Sequence, residues 1–158
     1  MTRNIDIQIV PYSEKFKKAF KDLNEEWIRE YFKMEELDHK YLDRPETYIL
    51  QPGGYIGVAL HQNQAVGVCA LIKSNDDTYD FELSKMGVSP KIQGQGIGWL
   101  LGEHIVEEAK RRGAKTIYLD SNTVLEPAIK LYRKLGFVEV QGYNSFYERC
   151  NIRMELKL

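Results

Sequence analysis

Two cysteines, three histidines and five prolines in 158 residues rule against several kinds of protein. Cys69 stands in an apolar run and Cys150 near the C-terminus, a spacing that suits neither a disulfide framework nor a metal cage, so a reducing compartment is expected. His39, His61 and His104 are scattered, and no metal site is expected. Charge of one sign is missing too. The 22 Lys and Arg against 23 Asp and Glu leave a net of -1, without the overall field that draws in nucleic acid or an anionic membrane. No apolar run approaches a signal core or a membrane span, and the opening MTRNIDIQIVPY alternates like a strand. These absences point to a cytoplasmic chain with no nucleic-acid or membrane partner. With no repeat, linker or low-complexity segment, one domain over 1–158 is expected, burying roughly 70% of its unfolded surface.

What is present is regular patterning. Ile5, Ile7 and Ile9 alternate with polar residues before Pro11, which predicts a first strand. Ser13 is placed to cap a helix in which Phe16, Phe20, Leu23 and Trp27 recur at helical spacing, and 27–32 predicts a second short helix. The charged stretch KMEELDHKYLDRPE is expected to be a loop with a helical turn or two, and PGG at 52–54 breaks the chain. Strands are expected over 55–60, 65–73 and 79–88, joined by HQNQ and SNDD. A helix over 97–112 stops at Gly113, a β-branched strand spans 116–119, and a helix over 125–135 closes at Gly136. FVEVQGY and CNIRMELKL read as two last strands. Strand, helix, strand in the second half argues for one parallel crossover within a largely antiparallel sheet.

One stretch departs from this patterning. VSPKIQGQGIG, residues 88–98, sheds its side chains where a helix begins. Glycines allow positive φ and close approach of a ligand to the backbone, and the first amides of a helix lack internal partners, so an anion cradle is expected, most naturally for phosphate. A P-loop needs Gly-Lys-Ser/Thr, whereas this stretch ends Gly98-Trp99. A dinucleotide fingerprint would use Asp120 for a ribose, but Gly94, Gly96 and Gly98 give GxGxG and not GxGxxG, and only one crossover unit follows.

The sequence resembles the GNAT superfamily of acyl-CoA-dependent N-acyltransferases, whose pyrophosphate loop reads Q/R-x-x-G-x-G/A; Gln93, Gly96 and Gly98 match it. Upstream, ELSKMGVSP is similar to the family's central strand. Downstream, LDSNTVLEPAIKLYRKLGF is similar to its second signature, with Asn122 after a strand and Tyr132 three residues before Leu-Gly-Phe. The resemblance covers about 55–140. It implies an α/β (α+β) fold: a mixed, mostly antiparallel central sheet of six to seven strands flanked by about four helices. It also implies acetyl-CoA as co-substrate, with no metal.

On that resemblance, the amides of Gln93, Gly94, Gln95, Gly96, Ile97 and Gly98 hold the CoA pyrophosphate, Gly96 and Gly98 being small to admit phosphate oxygens. The strand at Met86, Gly87 and Val88 pairs with the pantetheine arm, and Asn122 contacts CoA, although capping is its plainer role. Where many relatives carry a basic residue this chain has Trp99; Lys91, Arg133 or Lys134 are the alternatives. An alkylammonium of pKa near 10 is only about 0.1% neutral at pH 7, so a base is needed. Glu82 matches the position of the family's catalytic glutamate, with a solvated carboxylate or one paired with Lys85 as the plainer reading; Tyr132 matches the acid that protonates the leaving thiolate, against a packed core aromatic. An amide of Met86 or Gly87 is placed to polarise the carbonyl. His104 and Cys69 read as packed groups and KRRG at 110–113 as a helix end. Residues 143–149, with Tyr31, Phe32, Glu35 and Glu36, are candidates for the acceptor site, and Glu35, Glu36 and Asp38 for attracting a cation.

The expected activity is therefore transfer of an acetyl group to a primary amine of a small molecule by direct attack. A protein N-terminus or lysine acceptor, and a non-catalytic acyl-CoA sensor, are the alternatives; a homodimer is compatible with the sequence.

Overall fold

The computed structural model describes residues 5–158. Seven strands form one sheet: β1 (Gln8–Pro11), β2 (Tyr55–His61), β3 (Gln64–Lys73), β4 (Phe81–Val88), β5 (Thr116–Ser121), β6 (Val138–Val140) and β7 (Ile152–Lys157), in the order β1-β2-β3-β4-β5-β7-β6. Every neighbouring pair is antiparallel except β4 and β5, whose connection runs through a helix, as the strand, helix, strand pattern requires. Four helices cover it: α1 (Lys17–Tyr31), α2 (Glu36–Asp43), α3 (Ile97–Arg111) and α4 (Glu126–Leu135).

Apolar residues on both faces of β2 and β3 create two cores. Ile56, Val58, Val68, Ala70 and Ile72 meet Phe20 and Ile28 of α1 and Tyr41 and Leu42 of α2. On the other face Ala59, Cys69, Leu71 and Leu83 meet Leu101 and Ile105 of α3 and Ile129 and Tyr132 of α4. Two glycines set the spacing of these layers. A Cβ on Gly87 would stand 2.9 Å from the Leu23 carbonyl oxygen, so α1 lies directly on β4; a Cβ on Gly102 would stand 2.6 Å from Leu135, so α3 and α4 are in close contact.

Several local expectations differ from what forms. There is no second helix over 27–32: nothing between Asn24 and Tyr31 breaks α1, which runs unbroken to Tyr31. The charged stretch after it is no loop. Glu35 and Asp38 cap each other reciprocally and start α2, a capping box built from two acidic residues. Ser13 precedes a 3-10 turn and its hydroxyl caps nothing. Of the alternating isoleucines only Ile9 lies in β1; Ile5 and Ile7 pack against the α3 side, and the first four residues of the opening segment lie outside the described ones. β4 begins two residues later than expected because Asp80 faces β5, accepting hydrogen bonds from the Lys115 and Thr116 amides at 2.7 and 3.2 Å.

Candidate active site

β4 and β5 pair only at Phe81–Ile117 and Glu82–Tyr118 and then part. The gap is a cleft of about 510 Å³, lined by 83–88 of β4, the glycine turn, 119–121 of β5, one side of α4, and Trp27, Tyr31 and Phe32 at the end of α1. Past Glu82, the edge of β4 that faces β5 has no ladder partner. It is therefore free to bind an extended ligand, and Met86, Gly87 and Val88 all line the cleft.

At one end lies the glycine turn. Gly94 and Gly96 have φ of 85° and 76°, and no hydrogen bond of the described residues takes up the backbone N–H groups of Gln93, Gly94, Gln95 or Gly96. The turn leads into α3, so these amides converge at the positive end of its dipole. A Cβ on Gly94 would meet nothing within 4 Å. Gly98 lines the cleft and has a second reason to be small: a Cβ there would stand 3.2 Å from Leu131 and 3.8 Å from the Met86 sulfur, so it also admits α4 and the β4 side chain. Gln95 does not line the cleft, nor do Lys91, Arg133 or Lys134.

Midway along the cleft is Tyr132. It is buried among the α3-side core yet lines the cleft, and among the described residues no hydrogen bond engages its hydroxyl. Burial raises its pKa, which leaves it a proton donor across the neutral range. Asn122 lines the cleft as well, but its amide is committed: Nδ2 donates to the Arg149 carbonyl at 2.7 Å and Oδ1 accepts from the Val124 amide at 2.9 Å. It forms an Asx turn and pins the tail segment; the N-cap of α4 is Leu125.

Glu82 is neither solvated nor hydrogen-bonded to Lys85. Its carboxyl is buried beside β5, accepts a hydrogen bond from the Tyr118 hydroxyl at 3.3 Å and is not part of the cleft wall. Burial, with the Asp120 charge adding to it, pushes its pKa up to about 7 against the pull of Lys85, Tyr118 and Arg153.

At the far end, sequence reasoning named 143–149, Glu35 and Asp38 but missed Lys85 and the pairing that joins them. Two β4 residues, Lys85 and Met86, oppose the single Cys69 of β3, and Lys85 takes a φ of 55°. This bulge turns the Lys85 side chain under α2, where Nζ donates to Asp38 and to the Tyr147 hydroxyl, both at 2.8 Å. Arg149 makes a two-pronged bond to the same Asp38, 2.6 Å on each side, and also reaches Glu35. Burial alone would raise the Asp38 pKa, but Arg149 and Lys85 hold it well below the usual carboxylate range. Asp38 and Glu35 are thus partnered internally and are not free to attract a cation. No short-range signal joins 35, 38, 85, 147 and 149; only the fold does. Tyr31, Phe32, Tyr147 and Arg149 do line the cleft, whereas Glu35 and Glu36 line a separate surface hollow. His104 is packed, its Nε2 2.6 Å from the Tyr55 hydroxyl.

Known proteins share this fold. Among structures, an acetyltransferase of the GNAT family from Staphylococcus aureus Mu50 superposes with a TM-score of 0.85 at 22% identity, over 96% of this chain and 99% of that one. An acetyltransferase from Salmonella typhimurium, solved with its cofactor acetyl-CoA, gives 0.75 at 19% identity over 96% and 94%. Among sequences, the chain is 29% identical over 117 residues to the ribosomal protein bS18-alanine N-acetyltransferase of Escherichia coli K12, covering 73% of this chain and 78% of that protein. It is 34% identical over 98 residues to the N-acetylaspartate synthetase of Xenopus tropicalis, covering 62% of this chain but 36% of that longer protein, so it spans about a third of it. The family model described as Acetyltransferase (GNAT) family matches residues 19–137, from the first turn of α1, through the glycine turn and the cleft, to just past α4. The chain belongs to the GNAT acetyltransferase family.

Proposed function

We propose that this GNAT N-acetyltransferase acetylates the primary amine of a small molecule by direct attack. One observation carries the reading: a single cleft joins the unpartnered amides of the glycine turn to the free Tyr132 hydroxyl and to an aromatic far end. The residues present fit acetyl-CoA. Gln93, Gly94, Gly96 and the first amides of α3 would hold the pyrophosphate, and the unpaired edge at Met86, Gly87 and Val88 the pantetheine. Bound there, the thioester supplies an electrophilic carbonyl carbon.

The chain's own groups then divide the work. The bulge removes main-chain groups near Met86 from the β3 ladder, leaving an N–H to polarise the carbonyl oxygen. The acceptor ammonium loses its proton through water to Glu82, whose carboxyl is poised near 7. As the amine nitrogen forms its bond to carbon and gives its second surplus proton to water, the C–S bond breaks, the electron pair leaves on sulfur, and Tyr132 donates a proton to it and is reprotonated from water. A cysteine-linked route has little support: burial raises both the Cys69 and Cys150 thiols, keeping them un-ionised. The bS18-alanine relative favours one further reading, a peptide N-terminus as acceptor. Thiol release from acetyl-CoA, followed across small amines and alanine-initiated peptides, tests both. Release with small amines is expected; release only with peptides replaces this acceptor class by the other, and none with any amine ends the catalytic reading.

A further inference from the structure

The far end of the cleft carries its charges in an unusual order. Its walls are aromatic, from Trp27, Tyr31, Phe32 and Tyr147, and among the described residues its only cationic ones are Lys85 and Arg149. The acids that balance them stand behind: neither Asp38 nor Glu35 lines the cleft, and Asp38 is wholly buried. The only carboxylate that the described residues place on the cleft wall, Asp120, is gripped on both oxygens by Arg153 at 2.7 and 3.0 Å. The cluster is thus close to neutral as a whole but presents its positive side to the ligand.

Both cations also have donors to spare. The Lys85 side chain, 2% exposed, stands behind Arg149 and spends two of its three hydrogens, on Asp38 and Tyr147. Arg149 spends its Nη groups on Asp38 and Glu35, and no hydrogen bond among the described residues engages its Nε. Since no buried side-chain nitrogen or oxygen lacks a partner, that Nε is open to solvent. Stacking between Tyr147 at 4.6 Å and the Trp27 and Phe32 rings at 5.8 Å holds the guanidinium in place.

Resting on the acetyltransferase reading above, we propose that Arg149 and Lys85 form a subsite for an acceptor carboxylate, and that the acceptor is a free α-amino acid with an apolar or aromatic side chain. An α-carboxylate and its amine share one carbon. Anchoring the first at Arg149 therefore keeps the second inside the cleft that Met86 also lines, where the thioester is to lie, while the rings take the side chain. A peptide N-terminus or a simple amine lacks the anchoring group, and a polyamine would meet two cations and no free acid.

The test uses matched sets on the unaltered protein: phenylalanine, phenylalaninamide and phenethylamine, and likewise leucine, leucinamide and isopentylamine. Binding to the protein saturated with CoA is measured by calorimetry, and turnover by thiol release from acetyl-CoA. The amino acid is expected to bind about tenfold or more tightly than its amide or amine, the scale of a charge-assisted hydrogen bond. Amides or amines binding equally well or better would overturn the subsite while leaving the acetyltransferase reading intact. Selective binding of the amino acid without thiol release would uphold the subsite and remove the chemistry. No binding by any member would overturn the subsite. In Arg149→Gln the preference should shrink; an undiminished preference would overturn the role given to Arg149, and the comparison on the unaltered protein decides the subsite should that variant not fold.

Discussion

Glu82 sits where a charge is disfavoured. Its carboxyl is raised from 4.5 to about 7, mainly by burial. As pH rises from 4.5 to 7, the unfolded chain gives up a proton that the native chain keeps, so stability falls across this window and stays reduced above it. The difference of about 2.5 pH units corresponds to roughly 3 kcal/mol. Glu82→Gln keeps an acceptor for the Tyr118 hydroxyl and removes the ionisation. It should therefore unfold at a higher temperature than the parent at pH 8 and gain little at pH 4, while losing the rise in kcat/KM expected of the parent near pH 7. Thermal melts at both pH values and a pH-rate profile check this. Equal gains at the two values would mean that Glu82 is already ionised in the fold, and a retained rise would remove it as base.

Short helices need outside help, and α2, with eight residues, is too short to be stable by itself. Asp38 provides that help, tying α2 to β4 through Lys85 and to the tail through Arg149. Held low by those cations against burial, it stabilises the fold above the ordinary carboxylate range, and the benefit fades as pH falls. Asp38→Asn strands the buried Lys85 and weakens the hold on half-buried Arg149, and is expected to destabilise by about 3–5 kcal/mol in urea titrations near neutral pH; a loss below about 1 kcal/mol would show that other contacts hold α2. The elements legible in the sequence were those with a strong period of their own: α1 through Phe20 and Leu23, α3 through Leu101 and Ile105, and the β-branched strands. α2 was not, because an acidic residue at each end of a capping box reads as a charged loop until its geometry is known. The glycine turn and Tyr132 were also legible, since local spacing carries them. The Lys85 bulge was not, because it arises from how β3 and β4 register, nor was the packing of Gly98 against Leu131 of α4.

Across the whole molecule, the two cores lie on opposite faces of a sheet whose β4–β5 seam is held by only two paired positions. A ligand lying in that seam contacts β4, β5, α3 and α4 together, so its binding energy becomes fold stability. At about 100 times its Kd, CoA should add about 2.7 kcal/mol, which in a domain of this size raises the melting temperature by about 5–10 °C. Gly94→Asn tests whether the glycine turn transmits this. Asn tolerates the positive φ better than other side chains do, and its Cβ meets nothing, so the free protein should melt within a few degrees of the parent. The new side chain occupies the cradle, and the rise on adding CoA should shrink to less than half. Gly113 has nearly the same φ, 80°, with equally open space at the far end of α3, so Gly113→Asn should keep the full rise. If both variants respond like the parent, CoA is held elsewhere; if both lose the rise, the left-handed turn itself is at fault and the cradle is not identified.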